Sequence, residues 1–236
     1  MALANKLLLS QITGHIILLI LSFCIWIPLR INLHEFCDHC LLFTTGKWRE
    51  EDGMFDVNWA SDGFCNFSFL TGIALSCISI LQIIRFWVMK YADAEPSFLS
   101  LFIDVVLGIF MLAISILSAI FITLGFIVWC DGMTERFPSC ETSAGQNVIR
   151  GDTEKIDTSN FYMEMGTAQF GAWVSFATSV GLAVIALLKL INNHQVRNIK
   201  VSMYLERQRL VNQGQSDGRS TPPLASGASS DSDNNK

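Results

Sequence analysis

Charge is scarce in this chain, and across the middle of four long stretches it is absent. Only 16% of the 236 residues are Asp, Glu, Lys or Arg, while 51% are hydrophobic. That balance excludes an ordinary soluble domain. Also lacking is any recognisable catalytic constellation between the apolar runs, so neither an enzyme activity nor a cofactor is expected. Nor is a nucleic-acid partner, for a chain of net charge −5. A cleavable leader is not expected either. Lys6 precedes a run of leucines, but that apolar core is too long and no small-residue cleavage site follows Trp26-Ile27-Pro28-Leu29. The first segment therefore reads as an uncleaved signal anchor.

The apolar runs themselves are Leu7–Leu29, Phe67–Met89, Phe98–Trp129 and Gly166–Ile191, of 23, 23, 32 and 26 residues. About 20 apolar residues suffice to cross a hydrocarbon core of about 30 Å. The expected fold class is thus an all-α membrane protein, a four-helix transmembrane bundle. The third helix exceeds the bilayer, at about 48 Å, and its excess is expected to project as a stalk. The resulting plan has an N-terminus over 1–6 and helices over 7–29, 67–89, 98–129 and 166–191. Between them lie a long loop over 30–66, a short turn over 90–97 and a second long loop over 130–165. A basic amphipathic segment at 192–211 and a disordered tail at 212–236 complete it.

Basic residues set the expected orientation. Lys6, Arg85, Lys90, Lys189, Arg197, Lys200, Arg207 and Arg209 flank one side, whereas each long loop holds three Lys/Arg against seven Asp/Glu. The positive-inside rule then places both termini in the cytosol and both long loops in the lumen or outside, in the plasma membrane or a secretory-pathway membrane. Cysteines follow the same division. Cys24 and Cys77 lie within helices, while Cys37, Cys40, Cys65, Cys130 and Cys140 all fall in the long loops, where an oxidising compartment favours bridges. The preferred pairing is Cys40–Cys65 and Cys130–Cys140, leaving Cys37 over or paired with another chain.

In the first long loop, Leu41–Thr45, Met54–Trp59 and Phe64–Phe67 read as strands separated by Asp52-Gly53 and Asp62-Gly63. A small antiparallel meander stapled by a disulfide is expected. The second long loop shows no strong period and is assigned no regular element.

Four helices, both termini inside, a stapled sheet between helices one and two, and an overlong third helix together resemble the claudin-like tetraspan superfamily. More narrowly, the chain resembles the transmembrane protein 179 family. The residues that carry this are Cys40-Leu41-Leu42-Phe43-Thr44-Thr45-Gly46-Lys47-Trp48, Cys65-Asn66-Phe67-Ser68, Trp129-Cys130-Asp131 and Ala168-Gln169-Phe170-Gly171-Ala172-Trp173. The likeness spans about residues 5 to 195. Claudins proper carry Gly-Leu-Trp before a cysteine pair about ten residues apart. Here Asp38-His39 precedes Cys40, and 24 residues lie between Cys40 and Cys65. Paracellular pore-lining roles are therefore not implied. The terminal Asp233-Asn234-Asn235-Lys236 likewise does not suit a PDZ groove.

Several side chains could carry chemistry. His34, Cys37, His39 and Cys40 offer two imidazoles and two thiols within seven residues, a weak candidate for zinc or disulfide exchange. Asp104, six residues into the third helix, and Arg85, near the inner end of the second, are expected at similar depth and form a candidate ion pair. Gln11 and His15 read as hydrogen-bonders in helix packing. Gly171, Ser175, Ser179 and Ala183 make a small-residue stripe, and Ser115, Ala119 and Thr123 repeat it on the third helix. Asn66 heads a glycosylation sequon expected to be unused, so near the second helix. Trp26, Trp87 and Trp129 are placed as interfacial anchors. In the tail, Val196, Ile199, Met203 and Leu210 share one helix face, with Arg197, Lys200, Arg207 and Arg209 around it, a pattern suited to anionic inner-leaflet lipid. Beyond it Ser220, Thr221, Ser230 and Ser232 are candidate phosphorylation sites.

The expected partners are the bilayer, anionic lipid and another integral membrane protein. The function expected is lateral association, as an accessory or trafficking subunit of a channel or receptor. Cell-contact adhesion is the alternative, and metal handling or redox chemistry is a third.

Overall fold

A computed structural model describes residues 2–51, 53–92, 97–146, 148–150, 154–156 and 158–217. Four helices dominate it: α1 (Ala2–Glu35), α2 (Gly63–Tyr91), α3 (Phe98–Thr134) and α4 (Phe161–Asp217). Each is long and apolar enough to cross a membrane. Leu, Ile, Phe and Val crowd their outward faces, exposed at Leu70, Leu81, Leu99, Ile109, Val184 and Leu187 among others, whereas Ser, Gly, Ala and the few charged groups turn inward. In lipid that inversion is economical, because small side chains let backbones approach while large apolar ones meet acyl chains. The protein is a multi-pass membrane bundle.

Helix limits run past the apolar segments. α1 continues six residues beyond Leu29, with Pro28 inside it, and α2 starts at Gly63. α3 extends to Thr134, about 55 Å in all. α4 is helical through Asp217, six residues into the stretch expected to lack structure; the rest of that tail, with its Ser and Thr candidates, lies outside the described residues. Through Leu190 the chain forms one compact unit, and residues from Ile191 form a second. In the second, Val196, Ile199, Met203 and Leu210 are all exposed.

Between α1 and α2 lie β1 (Thr45–Trp48) and β2 (Phe55–Asn58), antiparallel with Trp48 opposite Phe55. Between α3 and α4 come a 3-10 turn at Glu141–Ser143, then β3 (Val148–Arg150) and β4 (Glu154–Ile156). β3 pairs parallel with β2, giving one sheet in the order β1-β2-β3-β4. The sheet thus draws on both long loops, not on the first alone. Strands of three residues are too short to show an alternation, which hid them in the sequence.

Two expected strands are not strands. Leu41–Thr44 instead forms a buried turn: Leu41 and Leu42 are fully buried, Phe43 takes a left-handed φ of 63°, and its N–H donates to the Gly125 carbonyl on α3 at 3.2 Å. A Cβ at Gly125 would stand 2.8 Å from the Leu42 Cβ, so that glycine makes the seat. Phe64–Phe67 lies at the start of α2, whose N-cap is Asp62; Ser61 Oγ accepts the Gly63 N–H at 3.3 Å just before it. Local apolar density favoured a strand there, but those residues are the start of the long apolar run that spans the bundle as α2.

The sheet rests on the stalk of α3. Phe55 packs against Trp129 with ring centroids 5.7 Å apart, and Trp48 Nε1 donates to the Gly132 carbonyl at 3.0 Å. Trp129 is consequently no interfacial anchor. It is 1% exposed, edge-on to Phe36 and Phe161 as well, because the overlong helix carries it into the core beneath the sheet.

Candidate functional site

At the end of the bundle opposite the sheet, polar side chains from all four helices converge. Asp104 on α3 is buried and ion-paired to Arg85 on α2, and it also accepts from Gln82 Nε2 at 3.2 Å. The same guanidinium donates to Ser100 Oγ at 3.2 Å. Lys189 on α4 donates to Gln11 Oε1 on α1 at 3.1 Å. Between these two groups stands the Phe86 ring, 5.4 Å from the Arg85 guanidinium and 5.2 Å from the Lys189 ammonium. His15 completes the arrangement, its ring 5.8 Å from Phe86.

Two cations, one carboxylate and three amide or imidazole groups therefore interlock around one aromatic ring. Gln11, His15, Gln82, Phe86 and Asp104 are each at most 5% exposed. Burying charge at such depth is costly unless partners compensate it, and each partner here comes from a different helix. The cluster fixes the register of the bundle at that end. Gln11 and His15, one turn apart, do not join each other; they reach to α4 and α2 respectively.

Small residues align the remaining contacts. The stripe on α4 is buried, with Gly171, Ala172, Ser175 and Ser179 all inside. It is divided between two neighbours. A Cβ at Gly171 would lie 3.0 Å from the Cys24 Cβ and 3.2 Å from the Leu21 carbonyl oxygen, both on α1. Ala183 instead meets α3, where a Cβ at Gly108 would stand 3.3 Å from its Cα. On α3, Ser115 and Ala119 are buried, and Thr123 Oγ1 accepts from Gln169 Nε2 at 3.2 Å and Trp173 Nε1 at 3.0 Å.

At the sheet end, Cys40 bonds Cys65 and Cys130 bonds Cys140. Cys37 belongs to neither bridge. The four candidate zinc ligands are not brought together: Cys40 is committed to Cys65, and His39 stacks on Trp59 at 4.9 Å. Among the described residues no group of three or more His, Cys, Asp or Glu is placed to hold a metal. Asn66 is exposed in the first turn of α2, but Ser68 of its sequon is fully buried.

The interior is more polar than the apolar runs suggested. Ser22, Ser68, Ser76, Ser79, Ser115, Ser118, Ser175 and Ser179 are all buried, and Ser22 and Ser76 share a hydrogen bond of 2.7 Å between α1 and α2. The serine pairs Ser76 and Ser79, Ser115 and Ser118, and Ser175 and Ser179, three or four residues apart inside the later runs, were the available signal. Gln82, one turn before Arg85, was visible in the same way.

Residues 7–211 match the family described as Transmembrane protein 179/179B Claudin domain. No solved structure matches the chain.

Proposed function

This chain belongs to the transmembrane protein 179/179B claudin family, and on that premise we propose that it acts without catalysis, by lateral association with another integral membrane protein. One observation carries the reading. Arg85, Asp104, Gln82, Lys189 and Gln11 bond one another within the bundle, while the outward helix faces are apolar along their length. What remains available is surface, and a surface acts through what it touches. An accessory or trafficking subunit of a channel or receptor fits that best. Fold kinship supports the reading only by analogy.

The orientation belongs to the same proposal. Both termini face the cytosol, which puts the stapled sheet in the lumen or outside, where disulfides persist. The segment 192–211 then lies at the inner leaflet. Its exposed Val196, Ile199, Met203 and Leu210 with Arg197, Lys200, Arg207 and Arg209 suit anionic lipid.

Cross-linking the tagged protein in its native membranes, extracting it in mild detergent and identifying co-migrating chains by mass spectrometry tests the reading. A stoichiometric channel or receptor is the expected result. A species holding this chain alone argues against it.

Adhesion is favoured by a different observation, that β1 is an edge strand of the sheet. Aggregation of otherwise non-adherent cells expressing the chain would support that second reading.

A further inference from the structure

From Ile191 onward the last part of α4 belongs to a unit of its own, and every residue from His194 to Leu210 is exposed. Seven of them are large and apolar, with exposure running from 43% at Val196 to 67% at Leu210. An α-helix turns about 100° per residue, so these seven fall on two sides. Val196, Ile199, Met203 and Leu210 make one stripe. Val201, Tyr204 and Leu205, at i, i+3 and i+4, make a second, about 160° around the helix from the first. Residues 192–211 also hold four cations, Arg197, Lys200, Arg207 and Arg209, against one carboxylate, Glu206.

Two apolar stripes on opposite sides discriminate among the surfaces that could cover them. A leaflet is planar and takes in one stripe, leaving the other in water. A second copy of the helix also covers a single seam. Lys200 and Arg207 border the first stripe, so paired copies would set cation against cation. A helix apolar on two sides is covered when something closes around it. The excess of cations requires that the enclosing surface be acidic.

We propose that residues 192–211 are the target helix of an acidic, two-lobed clamp protein of the calcium-sensor class, whose opened lobes each present a Met-lined apolar groove. One lobe takes Val196, Ile199, Met203 and Leu210, and the other takes Val201, Tyr204 and Leu205. The four cations meet the acidic rims. Such grooves open when the sensor binds Ca2+, so engagement follows a calcium signal. Release from anionic lipid accompanies it, because the clamp encloses the stripe that a leaflet would hold. The inference rests on the cytosolic placement of this segment proposed above; binding in nanodiscs, where both membrane faces are open to solution, does not.

The test uses the full chain in phosphatidylcholine nanodiscs, with fluorescently labelled calmodulin as the probe, titrated in Ca2+ and in chelator. The expected result is saturable binding of one probe per chain in Ca2+ and none in chelator. Met203→Glu in the first stripe and Leu205→Glu in the second should each weaken binding about tenfold or more, the loss of one anchor. Both positions are exposed and glutamate is a good helix former, so circular dichroism of the variants should match the parent. Binding unchanged by Leu205→Glu overturns the proposal, because one covered stripe needs no clamp. So does binding that is equal in chelator and abolished by about 0.5 M salt, which is charge attraction alone. No binding in Ca2+, with the segment protected from trypsin only when the disc holds phosphatidylserine, also overturns it and leaves anionic lipid as the occupant.

Discussion

Asp104 is the residue on which the polar cluster turns. Its carboxylate is 3% exposed and receives both Arg85 and Gln82, so removing the cation strands a buried negative charge. Arg85→Met should therefore cost about 3 kcal/mol, the low end for breaking a buried pair, because Arg85 itself is 30% exposed. Replacing both partners, Arg85→Met with Asp104→Leu, should recover most of that loss, since two apolar groups leave nothing unpaired. Thermal unfolding of the three proteins in one detergent reads the difference. A double variant no better than the single would place the loss in packing instead of charge. Arg85 and Asp104 were legible as a pair because ionisable residues are rare in apolar runs and a short connection sets their depth. The attachment of Lys189 to Gln11 was not, since the two are 178 residues apart and only the closed bundle brings them together.

Among the elements, α4 shows how much a single Cβ decides. Gly171 faces α1 at van der Waals limit, whereas Gly181 has nothing within 4 Å. Gly171→Val should cost about 1–3 kcal/mol by overpacking. Gly181→Val, on the exposed face, should change stability by less than about 0.5 kcal/mol. Comparing their unfolding temperatures in detergent checks the assignment of the faces. The stripe Gly171, Ser175, Ser179 and Ala183 was readable from its spacing, but its partners were not. Spacing locates a face and says nothing of which neighbour covers it, and the stripe proves to be divided between α1 and α3. The sheet behaves likewise. β2 was legible from the alternation of Phe55, Asp56, Val57 and Asn58, buried and exposed in turn. β3 and β4 were hidden because three residues carry no period, and Leu41–Thr44 misled because a strand-rich composition served a turn seated on Gly125.

At the scale of the whole molecule, the two ends of the bundle are held in different ways. Polar groups and small residues are spent on holding four helices in register at one end, and aromatic residues hold a two-loop sheet on α3 at the other. Topology was legible because a bilayer needs long apolar runs, and nothing else in the chain resembles them. Function was not, since the apolar runs and the loops between them carry no recognisable catalytic spacing.

The most direct measurement places a photo-cross-linking residue singly at outward helix positions Ile109, Phe170 and Leu187, and at Lys47 on the edge strand, in cells that are in contact. If the chain works by lateral association, the helix positions capture one integral membrane protein of the same cell, and Lys47 captures nothing from the neighbouring cell. Capture from the neighbouring cell through Lys47, with only lipid adducts at the helix positions, would contradict the account and make the sheet the working surface.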